Sequence, residues 1–119
     1  MRYTSLLGVL VLPALVAGAS VVTSFDAPDT GITGLAWDGS SLWAVDGTTQ
    51  YVYQLDPSDG TVLSSFYITD NTPTYNPVPG GLVWHGSTLY VAMHYAMSYG
   101  KVYRFNSSGT YLGEFDVYC

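Results

Sequence analysis

Asp38, Asp46, His85 and His94 are the side chains best suited by type to acid–base or metal chemistry, and Cys119 is the one thiol. A general acid or base must lie within hydrogen-bond reach of the proton it moves, and a metal ion needs several donors converging on one point. Asp38 and His85 each precede a glycine at the same place in two similar stretches of chain. That equivalence predicts a shared turn role for the two residues. Asp46 has Met93 as its counterpart. Turn capping suits an aspartate there, and the alternative is a carboxylate lining a central opening or binding a cation with neighbouring chains. The two histidines lack the spacing of a metal pair. The chain has no His-Glu-x-x-His, no Gly-x-Ser-x-Gly, no phosphate-cradling glycine loop and no recognisable cysteine–histidine pattern. The expectation is a protein that is not an enzyme, with no catalytic residue, metal site or cofactor.

Recognition chemistry is better represented. Tyr75, Tyr95 and Tyr99 fall in the loops 70–78 and 95–100, where the two stretches differ most. Loops that vary on a repeated scaffold are where binding commonly resides. These rings suit stacking on sugars or packing against another subunit, and equally suit covering a thin core. Asn106-Ser107-Ser108 is an N-glycosylation sequon in an expected turn. Cys119 has no intramolecular partner; it can join two chains in an oxidising compartment or remain an exposed bystander.

The elements that carry these residues follow from a repeat. Gly34-Leu35-Ala36-Trp37-Asp38-Gly39-Ser40-Ser41-Leu42-Trp43 aligns with Gly81-Leu82-Val83-Trp84-His85-Gly86-Ser87-Thr88-Leu89-Tyr90, 47 positions on. Val52-Tyr53-Gln54-Leu55 aligns with Val102-Tyr103-Arg104-Phe105, and Val62 to Phe66 with Tyr111 to Phe115. Apolar and aromatic runs of strand length alternate with turn residues. Four strands are predicted per unit: 32–37, 41–46, 51–56 and 61–68 in the first, and 80–84, 87–94, 101–106 and 110–118 in the second. Gly39 and Gly86 supply the positive φ of tight hairpins, and Gly60 and Gly109 close the later turns. Gly80-Gly81, matched by Gly34, predicts close backbone approach. No sustained 3.6-residue apolar period occurs beyond the first 19 residues, so helix should be nearly absent.

The pattern Gly-Leu-Ala-Trp-Asp-Gly-Ser-Ser-Leu-Trp-Ala-Val-Asp, with Val-Tyr-Gln-Leu-Asp-Pro-Ser-Asp-Gly and Val-Leu-Ser-Ser-Phe after it, resembles extracellular β-propeller proteins of the NHL, streptogramin-lyase-like and glutaminyl-cyclotransferase-like type. The resemblance covers residues 20–118 and implies a blade architecture. It does not imply an activity, because such folds host enzymes, binders and scaffolds. The fold expected is all-β: two four-stranded antiparallel propeller-type blades, at about 31–69 and 79–118, plus an extra N-terminal strand at 20–26. Val21-Val22-Thr23-Ser24-Phe25 reads as a third copy of the fourth strand. Exchange into a neighbouring chain, a five-stranded blade, or a piece of a longer propeller would each account for it.

Residues 1–19 read as a secretory signal peptide, with Arg2, the apolar run Leu6 to Val16 and the small residues Ala17-Gly18-Ala19. The run is too short for the roughly 20 residues of a membrane span. A mature start at Ser20 and a secreted, extracellular or cell-surface location follow. Charged residues make up 10% of the chain, with nine carboxylates against three basic residues. Nucleic acid and anionic membranes are unsuitable partners for such a surface.

Units that bury their faces only against neighbours need about three or more copies, and this chain has two. Partners are therefore expected. The leading reading is a secreted, non-enzymatic blade protein that self-assembles into an extracellular structural homo-oligomer or filament, through blade faces and strand addition. The alternatives are a carbohydrate-binding, lectin-like module that forms a propeller by oligomerisation, and a fragment of a longer propeller enzyme.

Overall fold

The computed structural model describes residues 18–69, 77–95 and 99–118, and every regular element among them is a β-strand. The first sheet contains β1 (Ile32–Trp37), β2 (Leu42–Asp46), β3 (Tyr51–Leu55) and β4 (Val62–Tyr67). The second contains β5 (Val78–His85), β6 (Thr88–Tyr95), β7 (Tyr99–Phe105) and β8 (Tyr111–Tyr118). Each is an antiparallel meander in which strands pair in sequence order. Among the described residues, no helix is long and apolar enough to cross a membrane.

Turn chemistry sets the strand ends. Gly39 and Gly86 have φ of 105° and 64°, and Gly60 and Gly109 have φ of 79° and 81°, a region that residues with a Cβ rarely enter. Asp38 Oδ1 accepts the backbone N–H groups of Ser40 and Ser41 at 2.8 and 2.6 Å. Asn106 Oδ1 accepts those of Ser108 and Thr110, both at 2.9 Å. Such short side chains hold a reversal by mimicking a backbone carbonyl. The first strand of the second blade begins two residues earlier than expected, because Val78 and Pro79 already pair with His94 and Met93.

Side chains alternate across each sheet, and one face of each blade meets the other to make the core. Trp43, Val45, Val52 and Ile68 of the first blade pack with Leu82, Leu89, Val91, Met93, Tyr103 and Phe105 of the second. Trp43 stacks on Trp84, and Phe66 meets Phe105 at 5.0 Å between ring centroids. Thr33 Oγ1 donates to the Pro79 carbonyl at 2.9 Å, and Gln50 Nε2 to the Pro77 carbonyl at 2.8 Å. The close approach lies at Gly34, where a Cβ would sit 3.0 Å from the Gly81 Cα; around Gly80 and Gly81 the space is open. The close backbone approach expected at Gly80-Gly81 is found, made by Gly34 of the first blade, while the positions that their own Cβ atoms would occupy are open.

The extra strand expected at 20–26 is not formed. Both sheets already have their fourth strand, so the segment has no vacant place in its own chain. It lies instead against the first blade, where Thr23, Ser24 and Phe25 border the face that carries Leu35, Leu42, Ala44 and Leu55. A Cβ on Gly60 would collide with the Phe25 ring, just as one on Gly109 would collide with Phe66. Phe25 thus holds towards the first blade the position that β4 holds towards the second. Of the expected signal peptide, residues 1–17 lie outside the described residues.

Candidate functional site

The carboxylates singled out by type are engaged in turns. Asp46 is fully buried; its Oδ1 accepts the N–H groups of Thr48 and Thr49, each at 2.7 Å, and its Oδ2 that of Gly31 at 3.0 Å. Burial pushes this carboxyl up, but the backbone donors outweigh it and hold the group below the ordinary value of 3.8. Asp46 therefore caps the turn after β2. Asp38 combines its turn with a second bond, accepting the Trp43 indole N–H on Oδ2 at 2.7 Å. Burial again pushes up, and the indole and the amides of Ser41 and Ser40 bring the net value below the ordinary one. That indole bond escaped the sequence reading, although Asp38–Trp43 becoming His85–Tyr90 in the second unit was a visible signal.

His85 and His94 are exposed at opposite ends of the β5–β6 hairpin. Among the described residues, no three His, Cys, Asp or Glu side chains are grouped to hold a metal ion. Tyr75 and Cys119 lie outside the described residues. Tyr95 is 1% exposed, with its hydroxyl 2.7 Å from that of Tyr103. It belongs to the core, the second of the two roles the sequence left open for it: the alternation of β6 turns Tyr95 inward with Leu89, Val91 and Met93. Tyr99 remains near the surface, where its hydroxyl donates to Asp116 at 3.0 Å. Lys101 joins this group through Asp116 at 2.9 Å and an ion-pair contact with Glu114 at 3.1 Å. The hydrogen bond to Asp116 keeps the ammonium charged well above its usual range. Asn106 is half-buried, its carbonyl oxygen committed to the turn.

The larger feature is a pair of open apolar faces. On the second blade, Val83, Tyr90, Ala92, Val102, Phe115 and Val117 lie on the face turned away from the first. Their repeat equivalents are Ala36, Trp43, Val45, Val52, Phe66 and Ile68, the residues by which the first blade packs on the second. The same surface is thus used once within the chain and left open once. Ile68 is 0% exposed where Val117 is 40%, and Val83 and Phe115 are 60% and 49% exposed. A recess of about 290 Å3 lies on this face, bordered by Ala92, His94, Gly100, Val102 and Val117.

The outward face of the first blade carries Leu35, Trp37, Leu42, Ala44, Tyr53 and Leu55, the equivalents of Leu82, Trp84, Leu89, Val91, Tyr103 and Phe105. Leu35 and Trp37 are more than half exposed, whereas Ala44 and Leu55 are buried. Phe25 and its neighbours border the recess of about 320 Å3 that remains here. No model of a known protein family matches the chain, and no curated protein matches it.

Proposed function

We propose that this chain is a secreted, non-enzymatic blade protein that assembles with copies of itself into an extracellular structural oligomer or filament, built on the plan of the propeller proteins it resembles. The observation that carries this reading is the open second-blade face, whose equivalent in the first blade is a core surface. Contiguous exposed apolar side chains mark interaction sites, and repeat units bury such faces by stacking. The two open faces differ from each other, so association through them is head-to-tail and generates a ring or a filament, according to whether the rotation closes. Light scattering and electron microscopy of the secreted chain test the reading. Discrete rings or long polymers support it, and a folded chain that stays monomeric at high concentration overturns it.

A carbohydrate-binding role is the second reading. Tyr99, with Lys101 and Asp116 beside it near the surface, offers a ring and polar groups of the kind that hold a sugar. Glycan-array binding that is lost in Tyr99→Ala, with assembly unaffected, would favour this role.

A further inference from the structure

The packing between the two blades is a template for packing between two chains. Within the chain, the Trp43 face of the first blade meets the Trp84 face of the second. Repeat equivalence carries each contact outward: Trp43–Trp84 becomes Tyr90 with a neighbour's Trp37, Phe66–Phe105 becomes Phe115 with its Leu55, and Phe66 on Gly109 becomes Phe115 on its Gly60. Gly34 against the Gly81 backbone becomes Gly81 against the neighbour's Gly34 backbone. This explains why a glycine sits within β5 with open space around it, since glycine in a strand weakens it unless another backbone comes close.

One place in this arrangement is already taken. The Gly60 surface that would receive the neighbour's Phe115 is covered by the chain's own Phe25, and Val62 to Phe66, Val21 to Phe25 and Tyr111 to Phe115 are three versions of one strand sequence.

We infer that the second-blade face bearing Val83, Tyr90, Ala92, Val102, Phe115 and Val117 docks on the first-blade face of a second copy, with Phe115 replacing that copy's Phe25 over Gly60. This rests on the self-assembly reading and adds the surface, the polarity of the contact and its internal competitor. Phe25, with Thr23 and Ser24 beside it, acts as a stand-in for the neighbour's Phe115, shielding the Gly60 part of the receiving face until a copy arrives.

Sedimentation equilibrium of the secreted chain over a concentration series tests this, under reducing conditions that remove any Cys119 cross-link. Phe25→Ala, which clears Gly60, is expected to tighten self-association by about tenfold or more, the order corresponding to one aromatic ring that need not be displaced. Gly81→Val adds bulk where the free chain has room, so it is expected to leave circular dichroism and tryptophan fluorescence unchanged while weakening association by about tenfold or more. Val83→Glu, on the same face, checks the result with a second chemistry. Association that persists unchanged in both Gly81→Val and Val83→Glu overturns this surface and leaves self-assembly standing. A chain that remains monomeric even with Phe25→Ala overturns both.

Discussion

Trp43 stacks on Trp84 with 5.3 Å between ring centroids and 12° between planes, although the two indoles come from non-equivalent strands of the repeat. Trp43 corresponds to Tyr90, and Trp84 to Trp37. Asp38 fixes the first indole by accepting its N–H, so a residue of the first hairpin turn controls a contact between blades.

Asp38→Ala should therefore act beyond its turn. It leaves the indole N–H of a fully buried tryptophan without its acceptor and removes two turn bonds, a loss of about 2–3 kcal/mol. Urea unfolding followed by tryptophan fluorescence should show a lower midpoint. Asp38→Asn, which retains an acceptor oxygen, should recover part of the loss.

Asp46 predicts an acid limit. Its folded-state carboxyl lies below the ordinary 3.8, so the stabilisation is fully present above that value and is lost as pH falls through the lower folded-state value. Thermal unfolding scanned from pH 6 downward should show the decline steepening below about pH 4. In Asp46→Asn the pH-dependent part of the decline should flatten, with the whole curve shifted to lower stability.

Gly34 and Gly81 should respond oppositely to the same substitution. Gly34→Ala places a methyl group 3.0 Å from the Gly81 Cα and 3.2 Å from neighbouring backbone atoms, which cannot rotate aside, and should destabilise by about 1–3 kcal/mol. Gly81→Ala meets nothing within 4 Å and should be neutral or stabilising by up to about 1 kcal/mol, because it restricts the unfolded chain. Denaturant midpoints of the two variants, measured on monomer, decide the matter. Equal losses would contradict the asymmetry.

Tyr95→Ala should unfold the second blade rather than abolish a ligand contact. Removing a buried aromatic side chain costs about 3–5 kcal/mol, and Tyr95 is packed within the shared core. Circular dichroism melting should reveal a large drop in midpoint before any binding is assayed.

The strands were legible because their causes are local. Glycine and aspartate at reversals, with apolar runs between them, place β1 to β8 to within two residues of the expected bounds. The turn role of Asp46 was legible for the same reason. The fates of Tyr95 and of residues 20–26 were not. Whether Tyr95 faces outward depends on which side of β6 the first blade covers, a long-range matter that side-chain type does not reveal. Val21 to Phe25 carries the pattern of a fourth strand, but a strand requires an unpaired edge in the right place, and the pattern is silent about that. Its side-chain preference survives in the seating of Phe25 on Gly60, without the ladder.

Because β1 to β8 pair only with their sequence neighbours inside each sheet, every ladder closes over a short loop, and such local topologies form early and quickly. The first blade can complete its backbone pairing while the second is still being synthesised. At that moment both of its faces need shelter, and Phe25 with its neighbours Thr23 and Ser24 has already emerged to shield part of one of them. The nascent chain thus waits with one face partly shielded by Phe25 and the other bare until the second blade closes it.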